Sequence, residues 1–250
     1  MRPALHAEWT KLRTVPSPHW LLLGMIAATV TLSAAAISVL TCTPAGCGGD
    51  LPKLSLMGVE LGQAVVVVLA VIVVSGEYSS GMIRTTLTAV PRRTTAFAAK
   101  AITVSGVVAI AGTIAVLGSL VAGRFILPVH GDAALSDGAT LRAAVGSILY
   151  LVLIALLSFG IAAVVRDAAA SIGTVLALLY LVPILSQVIG DPQWQRLLQQ
   201  VGPMSAGLTI QATTDLGDLP LSPWAGLGIT AAWATAALAA GCLALGKRDA

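Results

Sequence analysis

Glu60 is the residue whose position asks most of this chain, because it is an acid inside the apolar run Met57 to Ser75, with Gln63 less than one turn behind it. An ionisable group inside a membrane helix is costly and commonly marks a polar pathway, unless it sits close enough to the boundary to reach water. Glu60 lies within a turn of one boundary, so pathway residue and interfacial anchor both stand. Gly58 and Gly62 form a small-xxx-small step around it, which suits close helix contact. A second group of polar residues, Tyr180, Pro183, Ser186 and Gln187, interrupts another apolar run. Pro183 frees a carbonyl and bends a helix, and neighbouring polar groups satisfy the exposed backbone. Substrate contact and ordinary kinked packing fit this group equally.

Other familiar chemistry fails on inspection. Gly241 to Arg248 nearly matches the phosphate-binding pattern G-x-x-x-x-G-K-[ST], but Arg248 stands where the magnesium-ligating hydroxyl belongs, and the segment closes an apolar run instead of joining a strand to a helix. Lys247 and Arg248 read as membrane-face anchors. The three histidines, His6, His19 and His130, lie near run ends or in loops with no H-E-x-x-H pair, and no serine sits in a G-x-S-x-G elbow. No catalytic set, bound cofactor or metal site is expected. Cys42 and Cys47 share a Gly- and Pro-containing loop with four residues between them and leave room for one bridge, while Cys242 lies inside an apolar run.

The elements that carry these residues follow from composition. Of 250 residues 57% are hydrophobic and only 10% charged, against about 25% charged in soluble domains. The mean hydropathy is +0.92. Together these specify an integral membrane protein. The net charge of +3 would suggest nucleic acid in a soluble protein, but here the cations cluster at the ends of apolar runs and read as topology signals. Six runs have the roughly 20 residues a spanning helix needs: Trp20 to Leu40, Met57 to Ser75, Ala98 to Ala122, Ala143 to Val165, Ala168 to Ile189 and Trp224 to Leu245. The first has no small-residue cleavage pattern behind it, so the N-terminus is expected to be retained. With both termini cytoplasmic, ten of the fourteen Lys and Arg residues fall inside and four outside. That orientation, in the plasma membrane, is the expected one.

Three connecting segments are more than turns. Leu5, Trp9 and Leu12 recur at helical spacing ahead of the first run, which predicts an interfacial amphipathic helix within residues 1–18 or a charged flank that only fixes orientation. The loop from Gly76 to Arg93 carries Met82, Ile83, Leu87 and Val90 at near-helical spacing, with Arg84 among them, and stops at Pro91. From Gly190 to Pro223, Trp194, Leu197, Leu198 and Val201 alternate with glutamines and Arg196 before Gly202-Pro203, which predicts a short outer helix. A packed cap and a helix lying on lipid headgroups give this same pattern. Arg166-Asp167 alone joins the fourth and fifth runs, so these form a tight hairpin.

The amphipathic Glu8 to Arg13 stretch, the Glu77-Tyr78-Ser79-Ser80-Gly81-Met82-Ile83-Arg84 loop, the long segment before the last run and the Lys247-Arg248-Asp249 end together resemble the permease subunit of an ABC-2 type ATP-binding-cassette exporter. The resemblance implies an all-α membrane protein of type V exporter-like fold: one transmembrane permease domain over 1–250, with six transmembrane helices, an interfacial helix (1–18), a cytoplasmic coupling helix (79–90) and an outer helical segment (190–223). It implies a dimer with a second permease copy or homologue, and a separate ABC ATPase that holds ATP and magnesium, since this chain carries no ATPase site. Met82, Ile83, Arg84, Leu87 and Val90 would seat in that ATPase. Spans two and five would line the pathway, making Glu60, Gln63, Tyr180 and Gln187 its candidates for an amphipathic or apolar substrate such as a drug, peptide or lipid-like molecule. The lipid bilayer is a further partner, and nucleic acid is not. The other reading is a membrane assembly or immunity factor that binds a ligand or partner without transporting it.

Overall fold

The computed structural model describes residues 10, 16–39, 50–79, 93–126 and 137–248. Six helices there are long and apolar enough to cross a membrane: 18–38, 51–76, 94–126, 138–165, 168–188 and 223–246. The first span is α1 (Pro16–Ser38). The second is α2 (Leu51–Ser55) continuing after one turn into α3 (Val59–Ser79). The third and fourth are α4 (Arg93–Ile126) and α5 (Gly138–Val165). The fifth breaks into α6 (Ala168–Leu176), a π-helical turn (Ala177–Leu181) and α7 (Val182–Val188). Two short helices, α8 (Pro192–Val201) and α9 (Pro203–Gly207), and a 3₁₀ turn (Leu208–Gln211) precede the sixth span, α10 (Pro223–Arg248). Among the described residues there is no strand.

Helix ends are set by local chemistry. Asp50, Asp167 and Asp191 each accept a backbone N–H of the first turn that follows them, and proline occupies the first turn of α2, α8 and α9, where its missing N–H costs nothing. The expected hairpin between spans four and five is there. Arg166 closes α5 in the left-handed region at φ 65°, donating its N–H to Ala162, and Asp167 immediately caps α6.

Span four is the hub of the bundle, packed against spans two, three, five and six, and it buries one continuous face from Thr140 to Ala163. Lipid is as apolar as leucine, so such packing rests on close van der Waals contact and not on water expulsion. Gly160 shows what this needs: a Cβ there would lie 2.4 Å from the Ala237 carbonyl carbon of α10. Spans one, five and six are the least covered.

The two outer-segment readings divide between its halves. No residue of α8 is buried, and Trp194, Leu197 and Val201 remain exposed. From Gly202 to Ala212 the chain instead turns into the bundle, with Pro203, Met204, Ala206, Gly207, Ile210 and Gln211 all buried against α5 and α10. Of the segments expected to form the interfacial helix (1–18) and the coupling helix (79–90), only residues 10, 16–18 and 79 are described, the last four as ends of α1 and α3; Met82, Ile83, Arg84, Leu87 and Val90 lie outside the described residues, as do Cys42 and Cys47. Cys242 is a half-buried free thiol.

Candidate functional site

Where spans two, four and five meet, the interior turns polar. Gln63 on α3 is fully buried, and its side-chain oxygen accepts from the hydroxyl of Tyr150, a fully buried residue of α5. One turn before Gln63, the main-chain carbonyl of Glu60 accepts from the hydroxyl of Tyr180. The Gln63 amide nitrogen lies near the Tyr180 hydroxyl but reaches no acceptor in hydrogen-bond geometry among the described residues. Two phenols, a carboxamide and a carboxylate thus come from three helices to one level of the bundle.

Span five is shaped to deliver Tyr180. Pro183 has no N–H for the preceding turn, and its ring crowds the carbonyl four residues back. The backbone here widens to a π turn over Ala177–Leu181, which relieves that crowding and carries Tyr180. The sequence reading expected a bend at Pro183; the π turn is the form the irregularity takes. Glu60 itself is half-buried on span two, next to the exposed Met57 and Leu61. No hydrogen bond or ion pair reaches its carboxylate among the described residues, and Lys53 is the cation whose field it feels.

A second layer lies toward the Asp50 end. Gln211 donates to Ser147 at 3.1 Å and to the Leu56 carbonyl at 3.5 Å. Arg142 donates to the Ala212 carbonyl at 2.6 Å. Asp50 accepts from the Thr213 hydroxyl and N–H, both at 2.5 Å, and from the Lys53 and Thr214 N–H groups at 3.1 Å. Burial pulls the Asp50 carboxyl upward, but these four donors outweigh it and hold the group below its ordinary value. Residues 203–214 are therefore fastened as a roof over Tyr150. Within that roof Gly207 fits over Tyr150 only as glycine, since a Cβ would meet the Tyr150 ring at 2.4 Å.

Of the four pathway candidates the structure brings Glu60, Gln63 and Tyr180 together. Gln187, two turns beyond Tyr180, is exposed and joins none of these bonds. Tyr150, Ser147 and Gln211 were not singled out from the sequence. A tyrosine or serine in an apolar run gives no sign of its partner, and Gln211 follows the outer helix with no periodicity around it. The phosphate-loop look-alike is the end of the continuous helix α10. Among the described residues no three His, Cys, Asp or Glu side chains converge as a metal site. The cluster has no nucleophile paired with a base; what it offers is hydrogen bonding and one carboxyl group.

No protein-family model matches the chain, and no curated protein matches it.

Proposed function

We propose that this chain is the membrane-spanning subunit of an ABC-2 type ATP-binding-cassette exporter, moving an amphipathic or apolar molecule outward with ATP hydrolysed on a separate subunit. The observation that carries the reading is the polar level formed by Glu60, Gln63, Tyr150 and Tyr180, set among six apolar spans and roofed by the segment before the last one. Polar side chains are retained inside a bundle of this kind where something polar passes or binds. The order of parts supports the exporter family in particular: an amphipathic sequence within residues 76–93 between spans two and three, and a long helical connection between spans five and six. On this reading both termini and residues 79–90 are cytoplasmic, and two permease copies flank the pathway.

The test is a complex. The chain is co-expressed with a candidate ABC ATPase subunit, purified and reconstituted in vesicles, and hydrolysis is measured with a panel of amphipathic compounds. Stimulated hydrolysis and ATP-dependent efflux are expected. Ile83→Asp combined with Leu87→Asp should release the ATPase or leave its hydrolysis unresponsive, because burying each such apolar side chain is worth about 1.5 to 3 kcal/mol. A double mutant that keeps both partner and stimulation removes the coupling-helix assignment. Ligand binding with no ATP-dependent efflux would make the chain an assembly or immunity factor instead.

A further inference from the structure

Glu60 is the one acidic residue within the apolar stretches 18–38, 51–76, 94–126, 138–165, 168–188 and 223–246, Glu77 lying just past the end of the second. Among the described residues nothing hydrogen-bonds to its carboxylate: the hydrogen bond that Tyr180 makes goes to the Glu60 main-chain carbonyl. The side chain is left half-buried, with its nearest influential cation, Lys53, about two turns away on the same span. A charge in that position is only partly screened by water, so its attraction for an opposite charge is stronger than at an open surface. Tyr180 is half-buried beside it, and an aromatic ring face is a second attraction for a cation. Around this pair the exposed surface is apolar, with Met57 and Leu61 on span two and Ile184 one turn past Tyr180 on span five.

From this juxtaposition we propose that the seam between spans two and five is a binding site for amphipathic cations. The cationic head sits on the Glu60 carboxylate and against the Tyr180 ring, and the apolar body lies along Met57, Leu61 and Ile184. Neutral amphipaths lose the charge term, and anionic ones meet repulsion from Glu60. Gln63 and Tyr150 stand behind the seam and hold it in place, while Glu60 provides the selectivity. The assignment narrows the substrate class of the exporter reading and rests on that reading for its place in transport, but the binding itself is a property of this chain alone.

The test uses a matched pair of probes, tetraphenylphosphonium and tetraphenylborate, which share size and shape and differ in charge. Binding of each to the purified full chain in phosphatidylcholine nanodiscs is measured by equilibrium dialysis against empty nanodiscs. Saturable binding of the phosphonium, with the borate at the empty-disc level, is expected. Glu60→Gln should weaken the phosphonium about tenfold, while Glu60→Asp retains most of the affinity. Thermal melting of each variant confirms that it remains folded. Equal binding of both probes, or an unchanged phosphonium affinity in a folded Glu60→Gln variant, overturns the site. The two readings fail separately. Phosphonium binding that depends on Glu60 but stimulates no ATPase leaves the site standing without the exporter, whereas an ATPase stimulated equally by both probes leaves the exporter standing without this site.

Discussion

Removing the Asp50 carboxylate should detach one end of the roof over Tyr150 while the spans remain folded. Asp50 caps α2 through the Lys53 N–H and holds Thr213 and Thr214 through three more hydrogen bonds. Loss of such a cap costs about 1 kcal/mol, and hydrogen bonds to a charged acceptor contribute about 1.5 to 3 kcal/mol each when shielded. Asp50 is only partly buried, so these contributions are discounted, and about 2 to 4 kcal/mol of local stability is expected to disappear in Asp50→Ala. By hydrogen–deuterium exchange the amides of Thr213 and Thr214 should open about 30-fold or more faster, since each 1.4 kcal/mol is a factor of ten. Asp50→Asn keeps one oxygen acceptor but sets an NH₂ donor against the amides, so it should fall between. Acid should imitate the loss only in a low window. The folded carboxyl is held below its ordinary value, so its stabilisation is complete above that value and disappears as pH falls through the lower, folded one. Lys53, Asp215 and Asp218 line the same cleft as Asp50. Protection of 212–214 should therefore be flat from pH 7 to 5 in the wild type. Exchange in Asp50→Ala equal to wild type in this segment would refute the latch.

Tyr150→Phe should lower stability in detergent by about 1 to 3 kcal/mol, because it leaves the buried oxygen of Gln63 unpaired; Tyr180→Phe should cost less, since the Glu60 carbonyl is a helix acceptor already. Matching thermal melts for the two variants would deny the Gln63 bond its importance. Cysteines placed at Ser136 and Asp215 should react with an impermeant thiol reagent in intact cells, and one placed at Thr88 should not; a labelled Thr88→Cys reverses the proposed orientation.

The spans were legible because a membrane helix needs about 20 apolar residues in a row, and nothing else in a chain of this size gives such runs. Their ends were less so. The third helix extends to Arg93 and Ile126, beyond the apolar run at both ends, because threonines, glycines and single cations do not stop a helix that has begun. The outer segment shows a deeper reason for what was missed. Its amphipathic first half, α8, was visible from periodicity, but residues 203–211 are buried by what surrounds them and not by their own pattern. Glu60, Gln63 and Tyr180 stood out as polar groups in apolar runs. Gln187 lies two turns past Tyr180, about 10 Å along the axis, so an interrupted run of polar residues in sequence did not make one cluster in space.

Tyr150 is the joint between the two polar layers. On one side its hydroxyl is bound to Gln63, and on the other its ring lies against the bare Cα of Gly207 beneath the roof. The Thr230 hydroxyl of α10 would crowd a Cβ at that glycine as well, at 2.5 Å, and in turn donates to the Pro203 carbonyl at 2.9 Å. A fully buried ring in a close-packed interior does not deform; it moves with its neighbours or loses them. Residues 203–211 therefore cannot lift from the bundle without either carrying Tyr150 along, which strains or breaks the Gln63 bond, or opening a void beside the ring. A displacement of residues 203–211 and the integrity of the Gln63 hydrogen bond are thus coupled through one side chain.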